Sequence, residues 1–489
     1  MMLRALLTIG AVQVVTMLVL LVRTKSLAVM LGPDFVGVLA VIDKLLAVIA
    51  QTASLSLPFA AVRFLPGRWS EGPAQFRDLF TRMRNVLLGT AGIAAGGALC
   101  VSILEPSAFG VALAPYRDAV TVALFGLPAL ALIPFLQSAV AGRMQQYRAM
   151  LVGFLLAIVY AIAVAGAWLG GLVGYYSVIA VLGSALALVA SRLVVQDIAV
   201  TTVAPATRRD GWGLPVQLWK FSGALLVLSF LLPYAALYVH YRVLSRHGAQ
   251  MAGWLQAGIG ISLAVRSVLG TAHGVFLTPN VNRGGEPSER MEWANHFQAT
   301  FCLIAGLSVP ALLLFPDIAV RALYSAEFTP GAAFVLLFVT TEVLYLVSGT
   351  YQALVIALDR LRFHVASNLV AQLLVVAIAY ELVDRFGILG AGLACLAAPI
   401  FLYASTMLFL HRAYGLRMPR PVALRSTWLL LAVVATGLVG ALLRDFTWQV
   451  ILAKIAAYAI VAGGFGLLLS PHERTRIRET LDGWKARRA

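Results

Sequence analysis

Residues 36–62 read VGVLAVIDKLLAVIAQTASLSLPFAAV. At about 1.5 Å per residue, such a helix crosses the ~30 Å hydrocarbon core of a bilayer. The run nevertheless holds a carboxylate and an ammonium side by side, Asp43 and Lys44. A charge at the bilayer centre costs about 2.5–3.5 kcal/mol on insertion scales and is retained mainly where it lines a pathway or a binding site. Comparable apolar runs lie near 5–22, 85–104, 119–140, 149–169, 173–194, 219–240, 252–278, 296–315, 333–357, 364–382, 388–410, 427–443 and 449–470. The pattern predicts an all-α polytopic membrane protein with about fourteen transmembrane helices. Twelve is the alternative, because 119–140 and the closely spaced last pair are the weakest runs.

Composition agrees. Of 489 residues, 61% are hydrophobic and 12% charged, and the mean hydropathy is +0.89. Soluble globular domains are nearer 45–50% apolar, so that class is excluded. The first run has the layout of a signal peptide: Arg4, an apolar stretch, then Ser26-Leu27-Ala28. Gln13 and the length of the stretch argue against that, and the later spans need a first one to set their direction.

The net charge of +16 does not indicate a nucleic-acid partner, because the cations follow membrane sidedness. With the N-terminus inside, 26 of the 37 Lys and Arg fall on inner segments and 9, Lys454 and Arg23 among them, on outer ones. Both termini are therefore expected in the cytoplasm, with an even number of spans. Residues 74–84, AQFRDLFTRMR, put Phe76, Leu79, Phe80 and Met83 on one face. That pattern fits an interfacial amphipathic helix, but ordinary positive-inside anchoring of its arginines is the favoured reading. The basic tail after Pro471 has the same two readings. Cys100, Cys302 and Cys395 match no metal or redox spacing and read as packing residues.

An internal repeat divides the chain. LGPDFVGVL at 31–39 aligns with HGAQMAGWL at 247–255, bringing Gly32 onto Gly248, Gly37 onto Gly253 and Leu39 onto Leu255. The same offset brings Tyr147-Arg148 onto Phe363-His364. Six spans per half make the repeats parallel, with a substrate site expected between them. The expected organisation is an N-terminal six-helix lobe (1–200), a polar cytoplasmic linker (201–218), a second six-helix lobe (219–415), and two additional helices with a basic tail (416–489). No P-loop, HExxH or Gly-x-Ser-x-Gly motif occurs, so neither an enzyme nor a bound cofactor or metal is expected.

The deep charges carry the functional reading. Lys44 lies about 13 Å along the second span from Phe35, and Arg266 about 21 Å along the eighth from Ala252. Neither depth permits easy snorkelling. On the repeat, both belong to corresponding helices, and two cations facing one cleft make an anion site, with arginine supplying a planar fork for phosphate. Arg23 and Lys25 either extend that lining or anchor the first helix at the interface. Asp43 and Glu342 are the candidate counter-charges: either meets Arg266 across the cleft, and Glu342 alternatively carries a coupling proton. His273 reads as a hydrogen-bonded core histidine.

LGPDFVG at 31–37, LTPNVNRGGEPSERMEWA at 277–294 and LYSAEFTPGAAF at 323–334 resemble the polysaccharide transporters of the MOP flippase superfamily, which also contains O-antigen-repeat flippases, lipid II flippases and MATE drug exporters. The resemblance spans about residues 1–415. It implies two six-helix lobes in a V, alternating access, and a cationic cavity for a lipid pyrophosphate-linked sugar headgroup whose tail stays among the membrane lipids. Basic residues on the second and eighth helices are typical there, and Lys44 and Arg266 match them in type and depth. The implied function is a flippase for an undecaprenyl-pyrophosphate-linked oligosaccharide in the bacterial inner membrane, serving surface polysaccharide or lipopolysaccharide biosynthesis. It would act as a monomer alongside a polysaccharide polymerase and other assembly proteins. The alternative is a MATE-type cation-coupled drug antiporter, which favours cavity carboxylates. A membrane polymerase or ligase needs a sizeable outer catalytic loop, and no predicted outer loop is long enough.

Overall fold

A computed structural model describes residues 2–105, 107–142, 146–199, 213–283, 285–445 and 447–469, and these contain helices and turns but no strand. Most of the expected linker, the basic tail after Leu469, and the side chains of Arg4, Gln13 and Tyr147 lie outside the residues described. The chain is an all-α polytopic membrane protein. Ten described helices are long and apolar enough to cross a bilayer, or eleven if the bent pair Val111–Phe125 and Leu127–Ala141 is one span.

Three of the ten run for 39, 47 and 55 residues. The longest would measure about 80 Å as a straight rod, more than twice the hydrocarbon thickness. Each is broken at glycine: Gly32 (φ 72°, ψ −177°) in Met2–Ala53, Gly170 and Gly171 in Gln146–Ala199, and Gly248 (φ 86°, ψ 173°) in Val216–Ala272. Gly32 and Gly248 occupy a backbone region essentially closed to residues with a Cβ. The repeat-related glycines thus adopt one conformation and turn the chain within a single residue. The expected loops between the runs 5–22 and 36–62, and between 219–240 and 252–278, are absent because the glycine replaces them.

The run 36–62 stops short. Its helix ends at Ala53, Leu55 (φ 50°) and Ser56 (φ 58°) turn left-handed, and a new helix, Leu57–Glu71, starts with Pro58 in its first turn. The weak run 119–140 is bent by 45° at Gly126, where a side chain would press on Ala180 of the neighbouring helix.

The amphipathic face at 74–84 is spent on protein. It opens a continuous helix, Pro73–Leu104, and Phe76, Leu79, Phe80 and Met83 are buried in it. Phe80 stacks on Phe135 at 5.5 Å. A separate interfacial helix is therefore not formed, because intramolecular packing covers the apolar stripe that would have entered the headgroup region.

The chain gathers into two compact units, one of Met1–Gln256, Ala322–Phe328 and Gln372–Ala391, the other of Ala257–Arg321, Thr329–Ala371 and Gly392–Ala489. In the first unit, Gly37 and Gly253 allow two helices to cross backbone to backbone. A Cβ at Gly37 would strike the Ala249 carbonyl, and one at Gly253 would strike the Pro33 carbonyl. Ala249-xxx-Gly253 is a small-residue spacing, the usual device for close approach where lipid leaves no hydrophobic drive between helices, and Gly37 meets it from the facing helix.

In the second unit, the additional helices Arg420–Leu442 and Trp448–Leu468 pack on Pro287–Leu314. Gly440 lies against the Leu313 carbonyl and Gly306 against the Phe465 ring. Gln298 donates to Ser426 at 3.3 Å. Two cations assigned to loop segments from sequence are buried here instead. Lys454 is 1% exposed with its ammonium 4.9 Å from the Phe315 ring centroid and Asp317 in electrostatic reach. Arg425 donates through Nη2 to the Leu468 carbonyl at 2.9 Å, capping the end of the last helix.

Candidate anion-binding residues

In the first unit, the Met2–Ala53 helix folds back at Gly32 and brings its two arms together. Arg23 on one arm and Asp43 on the other form an ion pair at 3.7 Å. The Arg23 guanidinium also donates to the Tyr175 hydroxyl and lies 5.2 Å from the Tyr160 ring centroid and 5.4 Å from that of Tyr175. Tyr176 donates to Asp43 at 2.8 Å. All three tyrosines come from Gln146–Ala199 and flank its double-glycine break. The result is a compact cluster: one guanidinium beside two aromatic rings, one carboxylate held by a cation and a phenol. Asp43 is thereby committed to Arg23. The tyrosines escaped sequence reasoning; their one signal was the adjacent pair Tyr175-Tyr176 in an otherwise apolar run.

Lys25 is half-buried two residues beyond Arg23. Lys44, next to Asp43, is half-buried as well. It makes no hydrogen bond or ion pair with any described residue, consistent with consecutive helical side chains pointing about 100° apart. Its charge reaches the buried His240, whose Nδ1 is 2.8 Å from the Ala236 carbonyl and whose Nε2 is 3.1 Å from Gln256 Oε1. His240 is a second polar neighbour that the sequence did not announce.

In the second unit, Arg266 Nη1 lies 3.3 Å from Glu342 Oε2. The pair is lopsided: the Arg266 side chain is 53% exposed and that of Glu342 is 11% exposed. The guanidinium also overlies Tyr345 at 5.9 Å. An exposed guanidinium in an apolar helix has to face a polar space rather than hydrocarbon. Two turns further on, His273 opens a π-helical turn, His273–Leu277. Its Nε2 donates to the Leu346 carbonyl at 2.9 Å and lies 3.2 Å from Thr350 Oγ1, while Phe297 and Phe301 pack edge-on to the ring. His273 is thus anchored to the Val335–Ala357 helix.

The candidate residues sort by chemistry. Arg23 and Asp43 pair with each other, although the buried Arg23 Nε has no hydrogen-bond partner among the described residues, whereas Lys44 makes no ion pair among them and Arg266 is half exposed beside Glu342. Among the described residues, no group of three or more His, Cys, Asp or Glu could hold a metal ion.

No family model matches the sequence, and no curated protein matches it. Solved structures do match. Lipid II flippase MurJ, in an inward closed conformation, superposes with a TM-score of 0.66 at 11% identity, covering 94% of this chain and 97% of that one. An inward-facing multidrug resistance MATE family transporter of the MOP superfamily gives 0.53 at 14% identity, over 87% of this chain and 95% of that one. A MOP superfamily transporter from Pyrococcus furiosus, described as having a binding pocket of reversed polarity, gives 0.50 at 16% identity, over 88% and 94%. At such identities the likeness speaks to architecture, and on that evidence this chain has the fold of the MOP transporter superfamily.

Proposed function

We propose that the protein is a transporter, specifically a flippase that moves an undecaprenyl-pyrophosphate-linked oligosaccharide from the inner to the outer leaflet of a bacterial inner membrane. The observation that carries this is Lys44: a half-buried cation in an apolar helix, with no hydrogen bond or ion pair among the described residues. An ammonium retained in an apolar helix, beside a carboxylate already paired with Arg23, calls for an anionic ligand. Arg266, in the other unit, is read as a headgroup contact in its own right, its exposed fork suited to a pyrophosphate. Arg23 and Lys25 support the first arm. Counting each glycine-broken helix as two spans and the bent pair as one gives fourteen spans, which on this reading leaves both termini cytoplasmic.

A drug antiporter of the MATE type is the competing reading, since such transporters share the fold. It wants unpaired carboxylates for a cationic drug. Here Asp43 is held by Arg23 and Glu342 by Arg266, which favours the anionic substrate.

The test is complementation in a bacterium lacking its own polysaccharide-repeat flippase, with Lys44→Ala and Arg266→Ala at matched membrane levels. Surface polysaccharide restored by the native chain and lost in both variants is expected. Restoration that survives both changes removes these residues from the site. No restoration, together with export of cationic dyes from the same strains, replaces the flippase by the antiporter.

A further inference from the structure

We infer that Glu342 is a proton-binding site governed by whether Arg266 is occupied by an anion: an anionic headgroup that takes the guanidinium releases the carboxylate, which then takes up one proton from water. The inference rests on the reading of Arg266 as a headgroup contact. It follows from the lopsided burial of the pair. Arg266 is 53% exposed and open to a ligand, whereas Glu342 is 11% exposed behind it. An incoming phosphate can reach the guanidinium without reaching the carboxylate.

Tyr345, one turn along the same helix as Glu342, lies beside the Arg266 guanidinium and carries no positive charge. The Glu342 carboxylate takes its one hydrogen bond among the described residues from Arg266 Nη1. On its own helix, Thr341 Oγ1 is spent on the Leu337 carbonyl, and Val339, Val343 and Leu346 are buried apolar neighbours. From the Ile388–Tyr414 helix it faces the thiol of Cys395, which feels its charge but supplies no positive one. His273, on the chain segment that follows Arg266, is within reach of the Arg266 charge and has its Nε2 turned to Leu346 and Thr350. Arg266 is the cation that acts on Glu342. Once Arg266 turns to another anion, Glu342 is a buried carboxylate without a counter-charge, and such a group neutralises rather than remain ionised.

The balance is simple. The guanidinium keeps its charge and exchanges one anionic partner for another. One O–H bond forms on Glu342, and the proton comes from water. Anion binding and proton uptake then favour each other equally. A headgroup that enters with a proton also carries one less negative charge than the headgroup alone.

The test uses the purified full-length protein and inorganic pyrophosphate. Calorimetric titrations in buffers of different ionisation enthalpy give the protons taken up per anion bound. The native chain is expected to take up close to one proton more than Glu342→Gln, a comparison that cancels the titration of pyrophosphate itself. Relative to that variant, native affinity is expected to rise as pH falls, by up to about tenfold per unit, as for any single linked proton. Equal proton counts and parallel pH profiles overturn the inference while leaving the anion site standing. No pyrophosphate binding by the native chain overturns both. Should Glu342→Gln fail to fold, the native proton count, corrected for the known titration of pyrophosphate, decides alone: near one upholds the inference and near zero ends it.

Discussion

The glycine crossing in the first unit gives the sharpest test of the fold. Replacing Gly37 by alanine puts a methyl group against the Ala249 carbonyl and 2.7 Å from the Gly253 amide nitrogen. Both neighbours are backbone, so neither can rotate away and the helices must part. Overpacking of this kind costs about 1–3 kcal/mol. The same substitution also gains about 1 kcal/mol of helix propensity, which would mask the loss. Gly96→Ala supplies the reference: Gly96 lies within the Pro73–Leu104 helix with open space where its Cβ would be. Propensity cancels in the comparison. Gly37→Ala should therefore be less stable than Gly96→Ala by about 1–3 kcal/mol, roughly a 5- to 150-fold change in the folded-to-unfolded ratio. Unfolding of the purified variants in one detergent, titrated with SDS and followed by tryptophan fluorescence, measures the difference. Gly253→Ala should behave like Gly37→Ala, and the double variant should lose less than the sum, because the first parting of the helices makes room for the second methyl. Stabilities for Gly37→Ala and Gly96→Ala that agree within about 0.5 kcal/mol would refute the close crossing.

Further outcomes follow from the same geometry. Gly32→Ala and Gly248→Ala, at φ 72° and 86°, should each cost about 1–3 kcal/mol through backbone strain, read in the same titration against Gly97→Ala. Tyr176→Phe removes the donor to Asp43 and should cost about 1.5 kcal/mol, the low end for a charged acceptor because Asp43 is 39% exposed; a double-mutant cycle with Asp43→Asn should show the loss shrink when the carboxylate is gone. Lys44→Met should leave stability within about 0.5 kcal/mol, since no hydrogen bond or close ion pair is lost, while surface polysaccharide falls in the complementation assay. A large destabilisation would mean that Lys44 serves the fold.

Apolar run length identified the membrane class because the bilayer sets helix length directly. The spacing of Gly32 with Gly37, repeated at Gly248 and Gly253, reached further, since it marks one turn and one crossing in each half. The form of the turns was hidden: residues 23–35 read as a connection between two spans, yet one glycine torsion does the work and the helix resumes at once. Pairing was hidden for a related reason. Arg23 follows the first predicted span and Asp43 lies within the second, and only the hairpin at Gly32 makes them neighbours, with tyrosines from a third helix completing the contact. Lys454 looked like a loop cation because it stands six residues after Trp448; burial against Phe315 depends on which helix the last span packs upon, and sequence pattern does not say.

The single-residue turns at Gly32 and Gly248 have a practical consequence for anyone mapping the chain. They offer no slack for an inserted epitope, a reporter fusion or a protease site, because any insertion must separate two helix ends that share one residue. Labelling strategies that rely on connecting segments should fail at these two points and be directed instead to the chain beside the exposed Gly213, ahead of the buried Leu214, where no helix has begun.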